Sequence, residues 1–285
     1  MPLVLVPTPL GNLRDITVRA LDVLRDCDLL VAEDSRVARK LLTALNLPGK
    51  EIWSYHEHNA QAVTPGILQQ AQTRLVALVA DAGTPGISDP GSALVAAARE
   101  QQIAVEVLPG PSAAIGAAVL SGFPLRRFVF EGFAPRTGGA RREALARSFA
   151  LGIPSVWYES PARVTALLAD IERVDPRARV FLLREYTKRY EQHLAGTAAE
   201  VAQRLEQPVR GEIALAILPS ERAESEAQTS PGELDAEIDA LLAAGSSVSA
   251  IAKTLGERGL GARRHIYARA ADRKRMRRDG HAGQR

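Results

Sequence analysis

The sequence predicts an α/β protein: two successive α/β domains followed by a small helical module. Three observations predict this. Short apolar runs alternate with helix-patterned segments over most of the chain. Two of those runs, Leu75-Val76-Ala77-Leu78-Val79-Ala80 and Ala104-Val105-Glu106-Val107-Leu108, lead directly into turns rich in glycine and proline. A polar stretch without apolar periodicity then sets off a C-terminal segment crowded with arginine.

The first domain is expected over residues 1–121. Leu3 to Val6 reads as a short buried strand, and Asp15 to Arg25 carries helical spacing through Ile16, Val18, Leu21, Val23 and Leu24. Leu29 to Ala32 is again strand-like and Val37 to Leu45 helical. Leu75 to Ala80, Leu94 to Glu100, Val105 to Leu108 and Ala113 to Leu120 continue the alternation, which argues for βαβ units and a largely parallel sheet. A break follows at Ser121-Gly122-Phe123-Pro124. The turns Asp81 to Gly91 and Pro109-Gly110-Pro111-Ser112 sit at strand C-termini, where open α/β sheets bind ligands. Glycine there lets a ligand approach the backbone, and proline stiffens the turn.

The second domain is expected over residues 122–219. Its strands are read at Phe128 to Phe130, Pro154 to Tyr158, Val180 to Leu183, Tyr190 to Leu194 and Ile213 to Leu218. Helices are read at Arg141 to Phe149, Ala162 to Ile171 and Ala198 to Leu205, and some strand pairing is antiparallel. Residues 220–233 form a polar linker. Residues 234–285 form a basic helical module: Leu234 to Leu242, then Ser247 to Leu255 with a serine N-cap, then a helix from Arg263, in a helix-turn-helix-like arrangement.

Composition narrows the classes. The chain has 285 residues, 46% hydrophobic and 24% charged, with a formal net charge of +3, the profile of a globular protein. A single cysteine, Cys27, excludes an internal disulfide and a multi-cysteine metal site, which fits a reducing, cytoplasmic compartment. The start lacks the basic segment of a signal peptide, and no apolar run approaches the ~20 residues of a membrane helix, so no membrane role is expected. There is no Gly-x-x-x-x-Gly-Lys-Ser/Thr, no Gly-x-Gly-x-x-Gly after the first strand and no Gly-x-Ser-x-Gly elbow.

A set of ordered motifs supplies what the missing fingerprints do not. Pro7-Thr8-Pro9-Leu10-Gly11-Asn12-Leu13-Arg14-Asp15-Ile16-Thr17, Ala32-Glu33-Asp34-Ser35-Arg36, Tyr55-His56-Glu57-His58-Asn59, Asp81 to Gly91, Pro109 to Ala113, Phe130-Glu131-Gly132-Phe133, Tyr158-Glu159-Ser160-Pro161 and Arg184-Glu185-Tyr186-Thr187-Lys188 follow one another in this order. Together they resemble the bacterial ribosomal RNA small subunit methyltransferase I family, within the tetrapyrrole methylase superfamily. The resemblance extends to Leu218. It implies two α/β domains of the tetrapyrrole methylase type with a cofactor cleft between them, and S-adenosylmethionine as methyl donor. It implies 2′-O-methylation of a cytidine ribose in the decoding region of 16S rRNA, with the 30S subunit as partner, and a homodimer.

Carried over by position, the implied cofactor contacts are Leu10, Ala82, Gly83, Thr84, Ile87, Ser112, Ala113, Tyr158, Glu159, Gly196, Ile213 and Ala214. Methyl transfer needs the 2′-oxygen in line with the sulfur–methyl bond at ~3–3.5 Å. A general base would add ~10²–10⁴-fold. Glu33, Asp34, His56, Asp81, Glu185 and Lys188 are the candidates, with Asp34 and Arg36 just after a strand at the functional edge of the sheet. The catalytic set is taken as Asp34, Arg36, Asp81, Glu185 and Lys188. His56 and His58 could share a strand face, but no further ligand cluster accompanies them, so no metal is expected. Arg136, Arg141 and Arg142 around Thr137-Gly138-Gly139, and Arg263, Arg264 and Lys274 near the end, suit RNA phosphates. Two other readings stay open at this point: a small-molecule, precorrin-type tetrapyrrole methylase, and a non-catalytic rRNA-binding assembly factor.

Overall fold

The computed structural model describes residues 2–220, 231–257 and 263–282. These fall into two units, one ending at Ser220 and one beginning beyond it. The first unit contains two five-stranded sheets.

The first sheet is built from β1 (Leu3–Leu5), β2 (Leu29–Ala32), β3 (Glu51–Ser54), β4 (Val76–Val79) and β5 (Val105–Val107). All are parallel, in the order β3-β2-β4-β1-β5. The connecting helices are α1 (Val18–Asp26), α2 (Ser35–Ala44), α3 (Ala60–Ala71) and α4 (Ser92–Glu100). A parallel sheet covered on both faces needs strands that are apolar at every position, and β1, β2 and β4 are. Alternation sorts their side chains. Leu3 and Leu5 join Ile67, Leu68 and Leu94 on one face. Val4 and Val6 join Ala20, Leu24 and Leu42 on the other.

Neither β3 nor α3 was expected from sequence. β3 is a half-exposed edge strand, Glu51-Ile52-Trp53-Ser54, and so lacks the apolar run of its neighbours. α3 contains Pro65 and Gly66, both weak helix formers, but Gly66 gives the Trp53 ring room against the helix.

The second sheet comprises β6 (Val129–Phe133), β7 (Ser155–Glu159), β8 (Arg179–Arg184), β9 (Gln192–Thr197) and β10 (Ile213–Leu218), ordered β6-β7-β10-β8-β9. Only β6 and β7 pair in parallel; the other three pairings are antiparallel. Helices α6 (Gly138–Phe149), α7 (Val164–Val174) and α8 (Ala198–Arg204) cover one face, around Trp157, Leu167, Leu182 and Leu215. The other face receives α5 (Ala113–Leu120), which follows β5 in the chain. Ala114, Ala117 and Ala118 of α5 pack on Val156, Phe181, Leu183 and Ala216. The β5–α5 turn is therefore where the chain passes from one sheet to the other, and it brings the C-terminal ends of β4, β5, β7 and β8 together.

The second unit consists of α9 (Pro231–Ala243), α10 (Val248–Glu257) and α11 (Arg263–Ala282). Ile238, Ile251, Leu255, Ile266 and Ala270 form its core. The Ser247 hydroxyl accepts the Ala250 N–H at 3.2 Å, the N-cap expected there. Most of the expected linker, residues 221–230, lies outside the described residues. No helix among the described residues is long and apolar enough to cross a membrane.

Candidate active site

The Asp81–Gly91 turn is stitched to the loop after β1. Thr8 and Gly83 exchange backbone hydrogen bonds at 2.9 and 3.0 Å, and the Thr8 hydroxyl donates to the Ala80 carbonyl. The Thr84 hydroxyl donates to the Pro111 carbonyl at 2.9 Å, tying this turn to the Pro109–Ser112 turn. Gly83 has φ +83°, a conformation that disfavours side chains, and an added Cβ would meet Leu10 Cδ2 at 3.2 Å. These ties hold the three loops as one rigid wall.

Facing that wall, the ends of β7, β8 and β10 complete a cavity of about 350 Å³. Such a volume suits a small molecule or cofactor. Leu10, Ala82, Gly83, Thr84, Ile87, Ser112, Ala113, Tyr158, Glu159, Ile213 and Ala214 all line it. The Tyr158 hydroxyl accepts the Ala114 N–H at 3.1 Å, tying the start of α5 to β7 beside the cavity. Glu159 is buried; its Oε1 accepts the Ser160 N–H and pairs with Arg163 at 2.6 Å, while its Oε2 has no partner among the described residues.

Gly196, the remaining expected cofactor contact, does not line the cavity. It lies on β9, the edge strand of the second sheet, and packs against Glu200. From the second sheet the cavity takes instead Gly211, which precedes β10.

Asp81, Asp89 and Glu212 bring acidity to the cavity. Asp89 is pushed up to about 7 by burial first, and then by Glu33, Asp81 and Glu212. Burial and then Asp34 raise Asp81, although the Asp34 N–H donates to its Oδ1 at 3.2 Å. Burial and Asp81 raise Glu33, opposed by the nearby His56. Asp34 behaves oppositely: it caps α2 and clasps the Arg36 guanidinium at 2.6 Å, which holds its carboxyl far below the usual range. A group held so acidic is a weak base; its geometry suits positioning Asp81.

The β8–β9 loop forms the other rim. Glu185 and Thr187 have φ of 52° and 63°. The Lys188 ammonium donates to Glu185 at 3.0 Å and to Glu212 at 2.9 Å. Burial opposes its charge, but those two carboxylates outweigh burial and hold its pKa above the usual lysine range. Neither Glu185 nor Lys188 lines the cavity, whereas Glu212 does. The Thr187 hydroxyl accepts the Asn12 N–H at 3.2 Å, so the loop also grips the first sheet.

Of the residues expected to meet RNA, Arg136 is exposed, but Arg141 is only 6% exposed. Arg141 pairs with the buried Asp170 at 2.6 Å, with Arg142 on the same carboxylate at 3.1 Å. The side chain of Arg141 is therefore a strut between α6 and α7, and the expected phosphate contact is corrected. Lys274 is exposed on α11, and the side chains of Arg263 and Arg264 lie outside the described residues. The His56 and His58 rings meet edge to face at 6.0 Å.

Sequence reasoning passed over Asp89, Ser88, Phe133, Tyr186 and Glu212 as site residues. Asp89 stood inside the quoted Asp81–Gly91 motif, and the signal available was its place in a ligand-binding turn.

The model of the tetrapyrrole (corrin/porphyrin) methylases matches residues 2–202. Ribosomal RNA small subunit methyltransferase I of Halalkalibacterium halodurans is 40% identical over 217 residues, covering 75% of this chain and 75% of that protein. The protein of the same name from Synechocystis is 38% identical over 93% of this chain and 95% of its own length. Among solved structures, diphthine synthase superposes with a TM-score of 0.60 at 12% identity, over 77% of this chain and 90% of that one. Thermus thermophilus uroporphyrin-III C-methyl transferase, solved with S-adenosyl homocysteine, gives 0.53 at 19% over 76% and 97%, a likeness of fold alone. The expected two-sheet α/β fold is thus borne out, and the chain belongs to the tetrapyrrole methylases and, within them, to the ribosomal RNA small subunit methyltransferase I family.

Proposed function

We propose that the protein uses S-adenosylmethionine to methylate the 2′-oxygen of a cytidine ribose in the decoding region of 16S rRNA. The observation that carries this reading is the cavity itself: a glycine-proline wall facing the second sheet, with acidic groups at hand. Its fit to the cofactor rests on three features. The lining includes the small residues Ala82, Gly83, Ser112, Ala113, Gly211 and Ala214, which let a ligand approach the backbone and suit reading adenine and carboxylate edges. Glu159 Oε2 is a buried acceptor without a partner among the described residues, suited to a donor group of a ligand. Asp81, Asp89 and Glu212 complement a cation. S-adenosylmethionine supplies an electrophilic methyl group on a sulfonium centre.

The chain's own residues supply placement and proton handling. Asp89 takes the proton from the 2′-hydroxyl, since a base works best with a pKa near the working pH. Arg36 fixes Asp34, whose N–H orients Asp81. Lys188 fixes Glu212 through a shared network with Glu185. The cavity walls exclude water. Arg136, Arg142 and the basic face of α11, including Lys274, contact phosphates. We further propose that the substrate is the cytoplasmic 30S subunit and that two copies associate through the exposed aliphatic side chains Ile115 and Val119 of α5.

The experiment is labelled S-adenosylmethionine with 30S subunits, followed by mapping of the methylated ribose. A substrate with 2′-deoxycytidine at the mapped position is expected to bind and accept no methyl, since the 2′-hydroxyl is the acceptor. Methylation of that substrate at the normal rate would move the reaction to the base and overturn the proposal.

A further inference from the structure

The end of the second sheet farthest from the cavity is a dense arginine surface. Strand directions place the starts of β6, β7 and β8 and the end of β10 together there. Arg126 and Arg127 precede β6, Arg177 precedes β8 and Arg179 begins it; all four are exposed. Leu125 and Phe128, which flank the first pair, pack into the core under α5 and anchor that loop. Arg179 stacks over the buried Phe123 ring at 5.5 Å, which draws the loop and β8 together.

None of the four is in an ion pair among the described residues. The carboxylates nearby are already committed. Asp175 accepts the Arg177 N–H through Oδ1, and the Ser220 N–H and hydroxyl through its two oxygens at 2.8 and 2.9 Å. Glu200 caps the Thr197 N–H at 2.8 Å. Positive charge is left open to solvent, carried by the side chain best shaped to grip phosphate. Four arginines without an interleaved lysine favour bidentate phosphate recognition over diffuse attraction.

We propose that Arg126, Arg127, Arg177 and Arg179 form a second RNA-binding surface that grips the phosphate backbone of the substrate rRNA away from the acceptor ribose. The six residues of β8 separate the two places by ~20 Å at ~3.3 Å per residue. A structured RNA spans that length easily, and a mononucleotide does not. The proposal rests on the reading of rRNA as substrate.

The test uses the full-length protein and direct binding to protein-free 16S rRNA and to 30S subunits over a salt series. Two variants are compared with wild type: R126Q/R127Q/R177Q/R179Q, and R126Q/R127Q, which keeps the Arg179–Phe123 contact intact. Cofactor affinity serves as the check on folding. The expected result is weaker binding to protein-free rRNA at low salt, about tenfold for the quadruple variant. The slope of log affinity against log salt should fall by ~0.7–0.9 per arginine removed, with cofactor affinity unchanged. Unchanged affinity and slope for protein-free rRNA in both variants would overturn the proposal. So would a loss confined to 30S subunits, which would assign the surface to an acidic ribosomal protein. Because binding is read directly, a wild-type protein that binds rRNA but does not methylate it would count against the proposed reaction and leave this surface standing.

Discussion

Asp89 is the residue whose chemistry departs furthest from its free behaviour at the cavity. Its carboxyl is pushed up to about 7 by burial and by Glu33, Asp81 and Glu212. The ionised form must be both the base and the partner of a cationic ligand. Cofactor affinity is therefore expected to rise with pH through about 7, checked by calorimetry at several pH values. In kcat/KM the rising limb should sit near that value, whereas in kcat it should shift lower, because a bound cation favours the carboxylate. Asp89→Asn should remove the limb and lower turnover by ~10²–10⁴-fold. The same substitution should stabilise the fold. A raised carboxyl pKa means that the native state resists ionisation; this cost grows from the ordinary aspartate range, about 4, up to about 7 and persists above. The gain in Tm on Asp89→Asn should thus be larger at pH 8 than at pH 5. Gly83→Val places a branched side chain at φ +83° against Leu10. It should abolish cofactor binding while circular dichroism shows a retained fold.

At the scale of elements, two joints hold the site. One is the strut between α6 and α7. Arg141 and Asp170 are nearly fully buried, and removing one partner of such a pair costs ~3–5 kcal/mol. Arg141→Ala should fall at the low end of that range, because Arg142 and Arg173 remain on Asp170. Urea unfolding measures this, and RNA affinity should change little in the variant that stays folded. The other joint is the β8–β9 loop. A Cβ on Gly116 of α5 would come within 2.5 Å of the Tyr186 ring, so the helix and the loop meet only because that position lacks a side chain. Gly116→Val should push Tyr186 out of the cavity wall and raise the KM for both substrates, with a smaller change in Tm than Arg141→Ala. A drop in Tm with unchanged KM would show that the contact serves stability alone.

The whole molecule divides at Ser220. The first unit contains every residue lining the cavity. The second has its own apolar core, and Arg269 and Arg273 bind Asp235 and Asp239 on α9. A chain truncated after Ser220 should keep cofactor affinity and bind RNA more weakly, with a loss that shrinks as salt rises because counterion release drives such contacts. Equal rRNA affinity of the truncated and full-length proteins at low salt would assign all RNA contact to the first unit. Ser220 must be retained, since it satisfies both oxygens of Asp175.

What was legible in the sequence was local. β2, α5 and β10 match the expected bounds residue for residue, because apolar runs and their punctuation are written in consecutive positions. The glycine-proline turns were legible for the same reason, since a backbone that needs positive φ leaves its mark in residue type. β3 and α3 were missed where an edge position and an internal Pro-Gly weakened the pattern. Tertiary structure alone decided what depends on distant partners. It turned Arg141 inward onto Asp170, carried Gly196 away from the cavity and packed α5 on the second sheet. It also gathered Glu33, Asp81 and Glu212 around Asp89 from separate loops. Charge and burial act through space, and residues 33 and 212 become neighbours of residue 89 only once both sheets have formed.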